Sequence, residues 1–347
     1  MEETEIRKTT VTEAEGRRLL VETGHELLRE RLVARTWGNI SCRLEGDRFL
    51  ITPSGLDYMR TEEEDIVRYD PGNGTWEGRR KPSSEKGVHA AAYREFPEAG
   101  FVIHTHQTFA TALGLAGWDR MDITEAERKE LGGIARAKYG LPGQKSLCEN
   151  VTAALKTGAR VVLMANHGAL ICGTDAEDTL KKAALLEEIC RRNCRGEENE
   201  PAGPEKLQPA QKELAEEVRK RLPSVRLCRT SPHLRAADRN RPLPAQLDDM
   251  AQMIGSRIPV TGPDAAKIVK HLRKKGAVLV PGLGCFVCGK DEDDTEALAI
   301  LTEKAAVSAM HTALLQADAR LSAIDVLIMN LFYRLKYSGQ KEEKINE

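Results

Sequence analysis

The sequence predicts an α/β fold in two parts. Three observations predict it. Segments with apolar residues at helical spacing alternate with short apolar strands bounded by turn residues. The chain has 347 residues, and at about 150 residues per domain that length suits two domains. A stretch rich in Glu, Pro and Gly, with almost no apolar content, separates them. The expected bounds are 1–195 for the first domain, 196–210 for a linker and 211–347 for a second lobe.

The elements follow in order. From Thr12, the segment TEAEGRRLLVETGHELLRERL places Leu19, Leu20, Leu27, Leu28 and Leu32 at helical spacing. In NISCRLEGDRFLI, Ile40, Cys42 and Leu44 alternate with Asn39, Ser41 and Arg43. Glu45-Gly46-Asp47 is then a hairpin turn, with Phe49–Ile51 as the return strand. Asp65–Tyr69 is a further strand, closed by the turn Pro71-Gly72-Asn73-Gly74. Ser84 is the expected N-cap of a helix that Pro97 stops. Phe101–His104 is a buried strand running into His-Thr-His, and Thr108–Ala116 is the helix after it. Ser146–Lys156 is helical, Val161–Met164 and Leu170–Cys172 are strands, and Asp175 caps a long helix to about Arg192. In the second part, GCFVCGKDEDDT at 284–295 matches GALICGTDAEDT at 168–179 at Gly, Cys, Gly, Asp, Asp and Thr. This predicts a repeated strand–turn–helix unit, with Ala277–Val280 as a buried strand. Leu283 stands where His167 stands, and no His-x-His precedes it.

Composition narrows the function. Lys+Arg is 52 and Asp+Glu 53, for a net charge of -1, so no basic excess points to nucleic acid. Aromatics at 4% also argue against base-stacking platforms. The longest apolar stretch, Val161–Cys172, is broken by Asn166 and His167 and is shorter than the roughly 20 residues of a membrane span, so no membrane role is expected. The first residues, MEETEIRKTTVTEAEGRR, lack an apolar signal core, and the eight cysteines then read as thiols of a reducing cytoplasm.

Three histidines carry the clearest chemistry. His104 and His106 alternate at a strand end, so both imidazoles face one side. His167 ends another strand, in Asn-His-Gly, where Gly168 leaves room for close approach. Three His ligands with a position left for substrate describe a catalytic metal site. Isolated polar residues near turns are the competing reading, which the flanking strands and the third His disfavour. Glu85 follows Ser83 and Ser84 at a helix start, where hydroxyls and free N–H groups favour an anion. His89 shares its helical face and is either an orienting group or a packed core residue. Thr36-Trp37-Gly38-Asn39 and Thr52-Pro53-Ser54-Gly55 offer further small donors. Cys285-x-x-Cys288 lies on a repeated strand with no second cysteine pair nearby, which argues against zinc or redox chemistry.

GNIS, ITPSG, KPSSE, HTH and NHG, in this order between residues 36 and 168, resemble the class II aldolase/adducin family. The resemblance spans about residues 10–195 and is weak beyond them. It implies a three-layer α/β/α domain with a mixed, largely antiparallel sheet, followed by a smaller degenerate lobe of related type. It implies Zn2+ (or another divalent ion) on His104, His106 and His167, and acid–base chemistry at Glu85. It also implies a phosphate pocket from Thr36, Asn39, Ser54, Gly55, Ser83 and Ser84. The implied partners are a small phosphorylated sugar and further copies of the chain, as a tetramer or dimer. The implied activity is cleavage of a ketose 1-phosphate, L-fuculose-phosphate-like, to dihydroxyacetone phosphate and an aldehyde. Alternatives within the family are sugar-phosphate 4-epimerase, ketose-phosphate dehydratase and a metal-free adducin-like scaffold. Glu85 matches the aldolases and the dehydratase, the epimerase having Asp there, whereas HTHQTFATALGLAG looks more like the epimerase. The aldolases use a tyrosine from the segment after His-x-His. Here Trp118–Gly140 holds only Tyr139, near its end, and Tyr333 and Tyr337 of the second lobe are further candidate proton donors.

Overall fold

The computed structural model describes residues 11–195 and 207–343, with side chains to residue 335 in the last helix. The chain divides into two compact units, 1–193 and 194–347.

The first unit comprises α1 (Glu13–Arg29), β1 (Asn39–Arg43), β2 (Phe49–Ile51), β3 (Val67–Asp70), β4 (Thr75–Glu77), α2 (Lys86–Glu95), β5 (Phe101–Thr105), α3 (Thr108–Leu115), α4 (Glu125–Leu131), β6 (Ile134–Ala137), α5 (Lys145–Leu155), β7 (Val161–Met164), β8 (Gly168–Gly173) and α6 (Ala176–Asn193). Its eight strands form one sheet in the order β4-β3-β2-β1-β5-β8-β7-β6. Every pair is antiparallel except β6 with β7. The sheet is therefore mixed and largely antiparallel.

Both faces are covered, because successive side chains of a strand point to opposite layers. Phe49, Ile51, Val102, Val162, Met164 and Leu170 pack with Val88, Ala92, Leu147 and Val151 of α2 and α5. The residues between them, Ile40, Leu50, Ile103, Leu163 and Ile171, are buried on the other side, where α1, α3 and α6 lie. This is a three-layer α/β/α arrangement. The polar alternates of β1 are covered too: Arg43 donates from Nη2 to Tyr93 O (2.6 Å) in the last turn of α2 and from Nε to Ala99 O (2.7 Å) in the connection that follows it.

The second unit comprises α7 (Pro209–Arg221), β9 (Arg226–Cys228), α8 (Ser231–Asp238), β10 (Leu243–Pro244), α9 (Asp248–Met253), β11 (Arg257–Ile258), α10 (Ala265–Lys275), β12 (Ala277–Val280), β13 (Gly284–Val287), α11 (Glu292–Leu314) and α12 (Ala323–Glu343). Pro209 opens α7 inside the span expected to be linker, since Pro suits the first helical turn. Residues 196–206 of that span lie outside the described residues.

The β12-β13-β9 sheet pairs as β7-β8-β5 does. Met164 lies opposite Gly168 and Val161 opposite Ile171, as Val280 lies opposite Gly284 and Ala277 opposite Val287. Thr105 lies opposite Ala169, as Cys228 lies opposite Cys285. A Cβ at Gly168 would sit 2.1 Å from Thr105 O, and one at Gly284 would sit 2.3 Å from Cys228 O, so both glycines mark the same close strand crossing. β7 takes β6 as a parallel neighbour through Leu163, and Leu279 takes Val260 in the same sense. α8 follows β9 as α3 follows β5, and α11 follows β13 as α6 follows β8. Among the described residues, β9 has no counterpart of β1 beside it.

Candidate metal centre

The site lies where β5 ends between β1 and β8. Asn39 pairs with His104 in the β1–β5 register, and His104 pairs with Leu170 across β5–β8. The β7–β8 connection delivers His167. Asn166 adopts φ 65°, a left-handed conformation that Asn tolerates, and His167 N–H closes the turn onto Met164 O at 3.1 Å. The end of β5 is tied to α6: Gln107 donates to Ala183 O at 2.6 Å, and Glu187 accepts from the N–H groups of Phe109 and Ala110.

Three imidazoles converge there. His104 Nε2 is 3.0 Å from His167 Nε2 and 3.0 Å from His106 Nε2. Glu85 lies against the same point, with Oε1 3.0 Å from His167 Nε2 and Oε2 3.2 Å from His104 Nε2. Trp37 stacks alongside His106 at 6.3 Å between centroids. His104 is wholly buried, and burial holds its pKa well below the usual histidine value, so it stays neutral. Its Nδ1–H donates to Ala169 O at 2.9 Å, which leaves the Nε2 lone pair directed at the other nitrogens and the carboxylate. Burial alone would raise the Glu85 pKa, but the contacts with His167 and the Asn39 amide outweigh it and hold the carboxyl well below its ordinary value. Lone pairs and a carboxylate gathered at about 3 Å in a buried space repel one another unless a cation sits among them. The donor set therefore fits a divalent metal, with His104, His106 and His167 as the residues able to hold it.

A chain of hydrogen bonds runs from Glu85 into the core. Asn39 Nδ2 donates to Glu85 Oε2 at 3.0 Å, so its amide oxygen faces His89 Nε2, 2.5 Å away. His89 must then carry its proton on Nε2 and accept at Nδ1, where the Ser41 hydroxyl donates at 2.6 Å. Ser41 accepts in turn from Tyr93 Oη at 2.8 Å. Burial pushes His89 down to about 3, which keeps it neutral and the direction of the chain fixed. His89 is wholly buried, as the packed reading has it, and it reaches Glu85 only through the Asn39 amide.

The serine and threonine motifs are also assembled. Ser83 N–H donates to Thr52 O at 3.1 Å and Ser54 N–H to Lys81 O at 2.9 Å, so ITPSG and KPSSE run side by side. Thr52 Oγ1 accepts from Ile40 N–H at 3.1 Å, which joins both motifs to β1. Gly38, at φ 80°, brings the Thr36–Asn39 turn so close that a Cβ there would sit 2.4 Å from His104 O. Ser83 is buried, Thr36, Ser54 and Gly55 are half-buried, and Ser84 is exposed. Ser84 is not the N-cap of α2. Glu85 holds that position, and Ser83 Oγ accepts from Glu85 N–H at 3.2 Å instead.

Sequence reasoning missed Ser41, Tyr93 and Trp37. The signals were present: Ser41 shares the Asn39 face of β1, Tyr93 lies one helical turn beyond His89, and Trp37 precedes Gly38. Tyr139 follows β6, and its carbonyl accepts from Asn150 Nδ2 at 2.8 Å. Tyr333 is half-buried on α12, and the Tyr337 side chain lies outside the described residues. In the second unit, the strand register puts Leu227, Arg229 and Leu283 where His104, His106 and His167 stand. Arg229 Nη1 donates to Leu283 O at 2.9 Å, so a guanidinium ties the turn there.

Fold and site together define an α/β protein with a three-histidine, one-carboxylate cluster in which His104, His167 and Glu85 are buried and His106 is half-buried. The family model described as class II aldolase and adducin N-terminal domain matches residues 18–194, and the chain belongs to that family. It is 34% identical over 175 residues to L-fuculose phosphate aldolase of Escherichia coli, covering 50% of this chain and 80% of that one. It is 31% identical over 179 residues to L-ribulose-5-phosphate 4-epimerase UlaF of Salmonella paratyphi B, covering 48% of this chain and 78% of the relative. A solved structure of L-fuculose 1-phosphate aldolase aligns with TM-score 0.49 and 30% identity over 53% of this chain and 87% of that one.

Proposed function

We propose that the first unit is a metal-dependent aldehyde-lyase. It cleaves a ketose 1-phosphate of the L-fuculose phosphate kind to dihydroxyacetone phosphate and an aldehyde. The observation that carries this reading is the convergence of His104, His106 and His167 on one point beside the Glu85 carboxylate. The relative of the same kind, at 34% identity, supports it.

A divalent ion, zinc in this reading, supplies Lewis-acid polarisation of the substrate carbonyl when bound and stabilises the charge left as the C3–C4 bond breaks. The protein's own groups do the rest. Glu85, ionised and held by Asn39, takes the C4 hydroxyl proton as C4 becomes the aldehyde carbon and the C3–C4 electron pair passes to the three-carbon fragment, and then returns that proton to C3. Thr36, Asn39, Ser54, Gly55, Ser83 and Ser84 hold the phosphate through hydroxyl, amide and backbone donors. The second unit acts as a metal-free copy of the β5–α6 half of the fold. We place the protein in the cytoplasm as a homo-oligomer. Among the described residues no helix is long and apolar enough to cross a membrane.

The epimerase relative at 31% identity supports a second reading, 4-epimerisation of L-ribulose 5-phosphate at the same centre. Zinc-loaded protein incubated with a panel of ketose 1-phosphates and with L-ribulose 5-phosphate distinguishes the two. Release of dihydroxyacetone phosphate from a ketose 1-phosphate is expected. Interconversion of pentulose phosphates without carbon–carbon cleavage would replace the aldolase reading with the epimerase one. A chain ending at Glu200 asks whether the second unit takes part in turnover.

A further inference from the structure

Of the three converging histidines, His106 is the one the fold itself holds least. β5 ends at Thr105, so His106 stands outside the strand, in the connection to α3. His104 and His167 are buried, whereas His106 is half-buried. The His104 ring is fixed by its bond to Ala169 O (2.9 Å), and the turn that carries His167 is closed onto Met164 O (3.1 Å). The backbone after His106 is fixed as well. Gln107, wholly buried, donates to Ala183 O at 2.6 Å, and the Glu187 carboxylate accepts from Phe109 and Ala110 N–H at 2.9 and 3.0 Å. What these bonds leave open is the direction of the His106 imidazole, which is set by rotation about its side-chain bonds.

Trp37 lies beside that ring. The indole plane is within 20° of parallel to the imidazole and the centroids are 6.3 Å apart, inside the roughly 4.5–7 Å range of offset-stacked aromatic pairs. Trp37 is only 9% exposed, and its N–H donates to Ala34 O at 3.0 Å, so the indole belongs to a closed turn ahead of β1. Two residues on, Asn39 pairs with His104 in the β1–β5 register. The indole is thus anchored to the strand next to β5. It restricts the rotation that would carry His106 Nε2 away from its place 3.0 Å from His104 Nε2.

We propose that Trp37 is a positioning residue of the metal centre. It holds the His106 imidazole in place beside His104 and His167, and so keeps the third ligand preorganised. This role rests on the reading of the three histidines as a metal site, and Trp37 acts in it through His106 alone. Groups that orient a metal ligand commonly contribute about 10- to 100-fold to metal affinity.

Cobalt(II) titration of the metal-free full chain, followed by visible absorption, tests the role, with a denaturant midpoint of the same metal-free protein measured alongside. Trp37→Ala should weaken cobalt binding about tenfold or more and alter the absorption bands, since one imidazole no longer keeps its place. Trp37→Phe, which keeps a flat ring against His106, should bind within about threefold of the unaltered chain. Trp37→Leu, which fills space without a flat ring, should bind as weakly as the Ala variant. In a His106→Ala background, Trp37→Ala should cost no further affinity, because the ligand through which it acts is gone. Unchanged cobalt affinity in Trp37→Ala, whatever its stability, would overturn the proposal. So would a Leu variant as tight as the Phe variant, or an equal loss from Trp37→Ala in both backgrounds. Those three results would leave the metal site standing. An unaltered chain that binds no cobalt would overturn the metal site itself, and this role with it.

Discussion

Replacing His89 by Ala separates the orientation of Glu85 from its chemistry. The change deletes the 2.5 Å bond to Asn39 Oδ1 and the 2.6 Å bond from Ser41, leaving an amide oxygen and a hydroxyl without those partners in the core. At about 1–3 kcal/mol for each orphaned buried group, plus the space left by the ring, the cost is about 3–5 kcal/mol of stability. That is a large share of the 5–15 kcal/mol a domain typically has, but it need not unfold the protein. The second effect is local. Without His89, nothing prescribes which end of the Asn39 amide faces Glu85, and a flipped amide would present oxygen to the carboxylate. A hydrogen bond to a charged group contributes about 1.5–3 kcal/mol, so kcat should fall about 10- to 100-fold. KM should move less than kcat, because of the phosphate donors only the Asn39 amide is disturbed, while Ser54, Ser83 and Ser84 are untouched. His89→Gln, which keeps a terminal N–H donor, should recover most of the kcat. Steady-state kinetics alongside a denaturant midpoint gives both readouts. A His89→Ala protein that is destabilised yet turns over within twofold of the original would refute the orienting role. A His89→Gln protein as slow as the Ala variant would refute the hydrogen-bond direction.

Three further outcomes follow from the same geometry. Glu85→Gln should keep the fold and bound metal while losing about 10²–10⁴ in turnover, because an amide cannot exchange the proton; near-normal kcat would return Glu85 to a helix N-cap alone. Inorganic phosphate should compete with substrate, and Ser54→Ala with Ser83→Ala should raise KM; equal rates on unphosphorylated ketoses would dismiss the pocket. Acid stability should reflect His233, which burial pushes down to about 4. The unfolded chain takes up its proton below about pH 6.5 while the folded chain resists, so the contribution is complete above that pH and falls by about 1.4 kcal/mol per pH unit toward pH 4. His233→Gln should flatten that slope in pH-dependent chemical denaturation, and an unchanged slope would exclude His233 as its source.

What the sequence could express differs from element to element. β5, β7, β8 and α6 were legible because their apolar runs end at capping residues. β4 and β6 were not: Thr75–Glu77 is exposed along its whole length, and in Ile134–Ala137 Arg136 interrupts the pattern. The His–Glu cluster was legible from spacing, but the Asn39–His89–Ser41–Tyr93 chain was not. Alternation in β1 reports which residues share a face and not whether that face is covered. The repeat in the second unit was visible only where it caps helices. Asp178 and Asp294 donate N–H to Asp175 and Asp291, and Thr179 and Thr295 donate hydroxyls to the carbonyls of those same residues, so the shared letters encode a cap. The match of β9 and α8 to β5 and α3 left no sequence trace, because a strand register constrains backbone and burial while tolerating many side chains. The helix start at Glu85 and not Ser84 is a one-residue difference of the kind caps commonly produce.

The central claim is that His104, His106 and His167 together hold one divalent ion. Elemental analysis of protein purified without chelator tests it most directly. One equivalent of metal per chain is predicted, lost when His104→Ala is combined with His106→Ala. Metal-free native protein that stays metal-free on incubation with zinc, or a full equivalent retained by the double variant, would contradict it.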